Sequence, residues 1–364
     1  MRYTAQGWLT RGALLGLLAL GVACGGAGAS TAPAAPSGVA PGGEGVAPGA
    51  PPAAAASAAP AAATVEVGVI STTLGYWTNW VGDAKGFFAD QGITNDVVTT
   101  RSMSGGLSAL SGGSLDLLGG SPTAMIEAIE HGADLVGVAS GQRDPAYSLI
   151  ARPEFARVED LRGHTMAISA LNGGDTVILR KILAAHGLKD SDWDFALVGG
   201  TPERYAAIVS GGAAAALLAQ PQDLQAEAQG YPRLALSSDV LQDYQYNSWV
   251  TRRDWASANS DLLVRWLRAY VRASRWLNDP ANRDEAIRIG VEYTKADTDI
   301  VAQTYDLLLV QLAGRVIPPD PEISLSGLKV VVDDMVASGD LPAPQPPEKY
   351  VDQSYVQRAM RDVQ

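Results

Sequence analysis

The stretch SGGSLDLLGGSP (residues 111–122) decides the fold, because it returns 99 positions later as SGGAAAALLAQP (residues 210–221). Each copy reads as a helix end, a glycine turn, a short apolar strand, a polar residue and a proline that can open the next helix. Generic glycine turns could produce such a match by chance. A second echo argues against chance, since residues 85–93 and 180–188 both end a helix in glycine followed by a branched apolar residue. The repeat predicts two similar lobes with a cleft between them.

Short apolar runs alternate with helical stretches on both sides of each copy. Strands are predicted at residues 65–70, 96–100, 116–118, 135–139, 165–168, 194–198 and 214–218. Helices are predicted at residues 79–91, 106–111, 122–131, 176–186, 202–210 and 221–229. This alternation indicates an α/β fold with largely parallel sheets.

The order of the elements also predicts how the chain divides between the lobes. After Asp239 the pattern returns to a strand at residues 249–251 and then continues in long helices at 261–277 and 299–312. We therefore expect residues 64–152 and 246–364 to form a discontinuous first lobe, and residues 153–245 to form the second. The two chain crossings, near residues 148–153 and 246–251, would then act as the hinge.

The N-terminus is typical of an exported lipoprotein. Arg2 and Arg11 precede an apolar run, residues 12–22, that is too short to span a bilayer and is followed by small residues. The run ends in LGVAC, which resembles a bacterial lipobox and makes Cys24, the only cysteine, the expected lipidation site. Residues 1–23 would then be a signal peptide. The alternative is ordinary signal cleavage near residues 27–29, with Cys24 discarded.

Residues 24–63 are almost entirely Ala, Gly, Pro, Ser and Thr, a composition that can neither bury an apolar face nor hold a helix. We interpret this segment as a flexible tether. Together with Cys24, it predicts a protein that is lipid-anchored to the outer face of the cytoplasmic membrane or held in the periplasm.

The composition argues against several classes of function. The net charge of −12 and the lack of a basic run are unlike a nucleic-acid-binding surface. Three histidines and one cysteine are too few for zinc fingers or thiolate clusters, so we expect no metal site. Neither a Gly-x-Ser-x-Gly elbow nor a Gly-Lys-Ser/Thr phosphate loop occurs. We therefore expect a monomer that is not an enzyme and carries no cofactor.

Candidate ligand contacts lie where the predicted strands end, because ligands of open parallel sheets bind outside the carboxyl ends of the strands. Ser121 and Thr201 each precede a proline, so they could present a helix N-terminus to a ligand or could only cap their own helices. Tyr76 and Trp77 could enclose an organic body or belong to the core. The complete candidate set is Thr72, Thr73, Tyr76, Trp77, Ser104, Gly105, Ser121, Ser140, Asn172, Asp175, Thr201 and Gln220.

Three segments of the chain resemble a known family: residues 84–93 (AKGFFADQGI), residues 112–122 and residues 158–168 (VEDLRGHTMAI). They are similar to the substrate-binding proteins of nitrate, sulfonate and taurine importers, a superfamily that includes binding proteins for thiamine-pyrimidine precursors. The resemblance implies a two-lobed type II periplasmic-binding-protein fold. It also implies that a small molecule is held between the lobes and passed to the permease of an ABC importer.

Departures from the family narrow the expected ligand. Ala215 stands where the second repeat usually carries Asp, and the loops hold no evident Arg or Lys of the kind that nitrate sites use. The Cys-rich motif of the cytosolic pyrimidine synthases is missing. An organosulfonate or a related polar or heteroaromatic compound is therefore the expected ligand. The alternatives are a thiamine-precursor or flavin-type binding protein, a sensory lipoprotein without a transporter, and an enzyme.

Overall fold

The computed structural model describes residues 61–171 and 173–363, so the predicted signal peptide, Cys24 and most of the predicted tether lie outside the described residues. Within these ranges the chain forms ten strands: β1 (Ala63–Val69), β2 (Ile93–Thr99), β3 (Leu117–Gly120), β4 (Leu135–Gln142), β5 (Ser148–Ala151), β6 (Thr165–Ile168), β7 (Asp194–Leu197), β8 (Ala215–Leu218), β9 (Arg233–Leu236) and β10 (Asn247–Arg252).

The same ranges contain thirteen α-helices: α1 (Trp77–Ala84), α2 (Phe87–Asp90), α3 (Met103–Ser111), α4 (Pro122–Glu130), α5 (Gly174–Ala185), α6 (Thr201–Val209), α7 (Gln222–Ala228), α8 (Arg253–Ala258), α9 (Ser260–Asn278), α10 (Arg283–Thr294), α11 (Thr298–Tyr305), α12 (Leu325–Ser338) and α13 (Ser354–Asp362). None of the helices in the described part of the chain is long and apolar enough to cross a membrane.

The strands form two five-stranded sheets with the same architecture. The first sheet has the order β2-β1-β3-β10-β4, and the second has the order β7-β6-β8-β5-β9. In each sheet the first three strands are parallel, and the fourth, β10 or β5, runs antiparallel to its neighbours. Strands β1 to β3 and β6 to β8 thus hold matching places, as expected from the internal repeat.

The chain crosses between the sheets twice, and each crossing supplies the antiparallel strand of the other sheet. The first crossing joins β4 to β5 and the second joins β9 to β10. Strand β5 therefore belongs to the second sheet, although the predicted boundary at 152/153 had left it in the first lobe. Neither β5, whose residues were expected to form part of a hinge, nor β9 was among the predicted strands. An apolar run such as Ser148–Ala151 shows that a strand forms but not which sheet it joins.

Two predicted helices are interrupted in the structure. The helix expected at residues 79–91 is divided into α1 and α2 by Gly86, whose φ of 70° ends the first helical segment. The helix expected at 299–312 leaves α-geometry after Tyr305 and continues as a π-helical stretch, Asp306–Gln311.

Two large apolar clusters hold the lobes. Helix α9 buries Leu263, Trp266, Tyr270 and Leu277 at intervals of three, four and seven residues against the first sheet, α1 and α13. The second cluster contains residues from α4 and β3 of the first lobe, from α5 and β6 of the second lobe, and from α12. Side chains of both lobes therefore pack together in this cluster. The carboxyl ends of the two sheets face the same space.

Candidate ligand-binding cleft

A cavity of about 60 Å³ lies where the carboxyl ends of both sheets meet. Its lining comes from the loops after β1, β3, β6, β7 and β8 and from the two chain crossings. The lining residues are Ile70, Ser71, Thr73, Gly75, Tyr76, Met103, Gly120, Ser121, Gln142, Ala146, Tyr147, Ser169, Gly173, Gly174, Asp175, Gly200, Thr201, Arg204, Ala219, Gln220, Tyr246 and Asn247. Both lobes therefore contribute to one site, whose lining combines polar and apolar groups.

Three helices begin at the cavity wall: α4 after Ser121, α5 after Gly173 and α6 after Gly200. The residue at each of these N-cap positions makes no side-chain capping bond. The start of a helix carries a partial positive charge from its backbone N–H groups. The three starts therefore make the cavity attractive to an anionic or strongly polar oxygen group.

A buried ion pair lies beside these helix starts. The guanidinium of Arg204, a residue only 2% exposed, donates from Nη1 to Asp175 Oδ2 at 2.8 Å. Arg204 Nε donates to Leu217 O at 2.9 Å, and Nη2 donates to Thr201 Oγ1 at 3.2 Å. Burial alone would lower the pKa of Arg204, but the carboxylate of Asp175 raises it above its ordinary value. The guanidinium thus stays charged and is largely neutralised within the protein.

Two tyrosines, one from each chain crossing, meet in the cavity wall. The hydroxyl of Tyr246 donates to the hydroxyl oxygen of Tyr147 at 2.8 Å, and the rings pack edge to face with centroids 5.4 Å apart. Burial raises the pKa of both tyrosines, so both hydroxyls keep their protons at neutral pH. Since the proton of Tyr246 is directed at Tyr147, the proton of Tyr147 is the one that can be donated to a ligand.

Side chains below the surface fix the polar groups of the lining. The buried carboxylate of Asp223 accepts from Gln220 Nε2 at 2.8 Å and from Ser148 Oγ at 2.7 Å. Asn247, 7% exposed, has an Oδ1 atom with no hydrogen-bond partner among the described residues. The cavity therefore presents one buried acceptor beside its several donors.

The lobes touch around the cavity. Leu74 N, from the first lobe, donates to Gln220 O of the second lobe at 3.0 Å. Two glycines of the second lobe allow this approach: a Cβ at Gly174 would lie 3.1 Å from Ser121 Oγ, and one at Gly200 would lie 3.2 Å from Ser71 Cβ. The two lobes thus contact each other beside the cavity.

Half of the candidate contacts predicted from the sequence lie in the cavity wall. These are Thr73, Tyr76, Ser121, Asp175, Thr201 and Gln220. Tyr76 presents only its ring, because its hydroxyl donates to Gly119 O at 3.0 Å and accepts from Ile70 N at 3.3 Å. Thr201 both lines the cavity and accepts from Arg204.

Five other candidates do not line the cavity. Trp77 is fully buried in the core, where its Nε1 donates to Ala286 O at 3.1 Å and its ring packs against Tyr305. The 3-10 turn Leu74–Tyr76 ends on the cavity-facing Tyr76, and Trp77 directly after it points into the core. The remaining four have other positions: Thr72 in the first loop, Ser104 and Gly105 in α3, and the fully buried Ser140, which accepts from Gln245 Nε2. Asn172 lies outside the described residues.

Sequence reasoning missed Arg204, Tyr147 and Tyr246, and it expected no basic residue at the site. Arg204 lies one turn inside α6 rather than in the loop before it. A signal was present, because a cation in the first turn of a helix opposes the helix dipole and needs a local reason. Tyr147 lies next to one predicted hinge segment and Tyr246 lies within the other. The sequence predicted movement for these segments and no ligand contact.

The described residues hold no group of three or more His, Cys, Asp or Glu that could bind a metal ion. His131 and His186 cap the C-termini of α4 and α5, as their sequence positions suggested. His131 Nδ1 lies 2.8 Å from Glu127 O, and His186 Nδ1 lies 3.3 Å from Glu159 Oε1. Both side chains thus have structural partners away from the cavity.

Known proteins resemble this chain in sequence and in fold. Residues 58–291 match the model of the NMT1-like family. YtlA, a candidate binding protein of Bacillus subtilis strain 168, is 22% identical over 308 residues, which cover 81% of this chain and 89% of YtlA.

Two solved structures illustrate the likeness in fold. The alkanesulfonate-binding protein SsuA from Xanthomonas axonopodis pv. citri, bound to MOPS, has a TM-score of 0.67 at 18% identity and covers 81% of this chain and 99% of its own. The nitrate-binding protein NrtA from Synechocystis PCC 6803 has a TM-score of 0.69 at 15% identity, covering 84% and 90%. The predicted two-lobed periplasmic-binding-protein fold is confirmed.

Proposed function

Because the chain belongs to the NMT1-like family, we propose that it is an exported solute-binding protein that delivers a small molecule to the permease of an ABC importer. The observation that carries this proposal is the cavity itself. Helix starts and polar side chains from both lobes surround one enclosed space, and the lobes touch around it. A protein of this form can capture a ligand by closing and release it by opening.

The chemistry of the cavity favours a ligand with an oxygen-rich, anionic head. Three helix starts and the hydroxyl of Tyr147 supply hydrogen-bond donors, and the Arg204–Asp175 pair adds no net charge. The SsuA and NrtA neighbours are an alkanesulfonate-binding and a nitrate-binding protein, so both bind oxyanions. We propose an organosulfonate or a related polar compound. A volume of about 60 Å³ suits a compact head group.

The cellular setting of the proposal rests on the N-terminal sequence. Lipidation at Cys24 would hold the protein as a monomer on the outer face of the cytoplasmic membrane or in the periplasm, with residues 24–63 as the tether. Replacing Cys24 with Ser should move the protein from the membrane fraction to the soluble exported fraction. An unchanged distribution on fractionation would contradict lipidation at this residue.

A thermal-shift screen followed by calorimetry tests the binding function. The screen would compare short alkanesulfonates, nitrate, carboxylates, pyrimidines and flavins. A ligand present at 100 times its Kd should add about 2.7 kcal/mol to the apparent stability. We expect sulfonates to raise Tm most. A screen in which no sulfonate raises Tm, while a pyrimidine or a flavin does, would assign the cleft to another ligand class.

Uptake in cells tests the transport step. Deleting the gene should abolish the import of a labelled sulfonate that binds the purified protein. Import that continues unchanged at limiting sulfonate would instead favour a sensory role for the same cleft.

A further inference from the structure

A second cavity, more apolar than the first, adjoins the ligand-binding cleft. It has a volume of about 300 Å³ and is lined by Met103, Ser104, Leu107, Ala124, Glu127, Ala128, His131, Ala170 and Gly173. Met103 and Gly173 also line the first cavity. The two spaces are therefore neighbours that share part of their walls, and we call the second one the tail groove.

The tail groove runs between two helices of the first lobe and is bordered by a loop of the second. Met103, Ser104 and Leu107 lie on one face of α3, while Ala124, Glu127, Ala128 and His131 follow each other along one face of α4. From Ala124 to His131 the groove extends roughly 10 Å along the helix axis. The loop residues Ala170 and Gly173 border it from the second lobe.

The chemistry changes along this path. The cleft presents hydroxyls, amides, helix starts and an ion pair, whereas the floor of the groove is methionine, leucine and alanine. The alanines of α4 leave the space open because their side chains are short. Met103, which stands at the junction, has a flexible thioether that can adapt to different neighbours. The polar lining residues are Ser104 on α3 and, at the outer end, Glu127 and His131.

We infer that the tail groove binds the apolar tail of the ligand whose oxygen-rich head occupies the cleft. This inference rests on the proposed function and narrows its substrate class to an amphiphile with a linear or narrow apolar tail of up to about 10 Å. The wall that the groove shares with the cleft at Met103 and Gly173 identifies the occupant, because a ligand with its head in the cleft has this groove as an adjacent apolar space. A compact ion such as nitrate would leave the groove unused.

A homologous series of ligands tests how much of the apolar tail the groove buries. Calorimetric titration of alkanesulfonates from ethanesulfonate to octanesulfonate should show the affinity rising about threefold to fourfold for each buried methylene. The increments should stop once the tail passes His131. Equal affinity along the whole series in the wild type would overturn the tail groove and leave the proposed function intact.

Ala128→Phe fills the groove without touching the cleft, because Ala128 lines only the second cavity. In this variant the series should flatten, with octanesulfonate binding no more tightly than ethanesulfonate. Ala185→Phe is the matched control, since Ala185 is an exposed alanine on α5 that lines neither cavity. It should keep the wild-type increments. Increments that persist in Ala128→Phe would place the tail elsewhere.

A ligand with an apolar tail but no anionic head tests the tail groove separately from the proposed function. Saturation-transfer NMR with 1-hexanol should show transfer to the wild type and to Ala185→Phe but not to Ala128→Phe. This result would support the groove even if no sulfonate bound, an outcome that would contradict only the proposed head group. Equal transfer to all three proteins, or transfer to none, would overturn the groove.

Discussion

At the scale of single residues, Arg204 remains charged although it is buried because its neighbours are acceptors. Its guanidinium contacts a carboxylate, two backbone carbonyls and a hydroxyl, at 2.8 to 3.2 Å. Removing one partner from such a pair leaves the other charge buried and uncompensated, which costs more than the net stability of the intact pair. The pair therefore fixes the geometry of the cleft more than it stabilises the fold.

Asp175→Asn should lower the free energy of unfolding by about 3 kcal/mol, because it leaves the Arg204 guanidinium without its counter-charge. Urea denaturation measures the change. The double variant Asp175→Asn/Arg204→Met should recover part of the loss. Asp333→Asn is the control, since Asp333 pairs with Lys329 on the exposed face of α12 and should cost less than about 1 kcal/mol. Equal losses at Asp175 and Asp333 would contradict a buried-charge penalty.

Ser121→Ala should lower ligand affinity about tenfold while leaving the folding stability within about 0.5 kcal/mol, because Ser121 lines the cavity but does not cap α4. Ser102→Ala is the matched control. Its hydroxyl accepts from Gly105 N at 3.1 Å and caps α3, so its loss should cost about 1 kcal/mol of stability and no affinity. Calorimetry and melting curves on both variants give the comparison, and the opposite pattern would remove Ser121 from the site.

The sequence indicated where the site lies better than which side chains form it. The rule that ligands sit at strand carboxyl ends led to the loops that hold Thr73, Ser121 and Thr201. It could not separate Tyr76 from Trp77, because a single 3-10 turn directs one ring to the cavity and the next into the core. Arg204 was not predicted as a site residue, because the rule points to loop residues and this arginine lies one turn inside α6.

At the scale of elements, a chain of polar side chains links α1, β2 and α9 inside the first lobe. Trp266 Nε1 donates to Asn95 Oδ1 at 2.9 Å, and Asn95 Nδ2 lies 3.1 Å from both carboxylate oxygens of Asp83. Burial raises the pKa of Asp83 to about 6, and the bond from Asn95 only partly opposes this. The folded state therefore favours the neutral carboxyl, and ionising it costs stability.

The contribution of Asp83 to stability should fall as the pH rises from about 4 to about 6, because over this interval the folded protein holds a proton on Asp83 that the unfolded chain has lost. Asp83→Asn should remove this slope and make the protein roughly 2 kcal/mol more stable than the wild type at pH 7, relative to the difference at pH 4. Urea melts at the two pH values measure it. A variant whose stability differs from the wild type by the same amount at both values would show that Asp83 titrates normally.

Elements with a local signal were predicted well. Strand β6 was predicted at its observed bounds, and α4, α5, α6 and α9 within two residues of theirs. Strands β5 and β9 were missed because each is only four residues long, and so short a segment carries little periodicity and no information about its partner strand. Pairing across a crossing is a long-range property that periodicity does not report.

At the scale of the whole molecule, closure depends on small residues where the lobes meet. Gly174 and Gly200 allow the second lobe to approach Ser121 and Ser71, and Leu74 N then reaches Gln220 O. The two crossings, which carry Tyr147 and Tyr246, connect the lobes at the cavity wall. Movement at the crossings would therefore open the cavity and separate these contacts.

Gly174→Val should hold the lobes apart, because a branched side chain at this position meets Ser121 and the ring of Tyr246. We expect the radius of gyration with saturating ligand to stay larger than that of the wild type, and the affinity to fall at least tenfold. Ala185→Val, an exposed change on the same helix, should behave as the wild type. Solution scattering makes the measurement. Full compaction of Gly174→Val by ligand would show that closure does not need this contact.

The order of the strands has a consequence for how the protein is made. The second sheet is drawn from one uninterrupted segment, β5 to β9, whereas the first sheet lacks an inner strand until β10 arrives between β3 and β4. A nascent chain that emerges from its N-terminus can therefore complete the second sheet first. The first sheet cannot be completed until β10, which ends at residue 252, has been synthesised. A vectorial assembly of this kind would make the completion of the first sheet one of the last steps of folding.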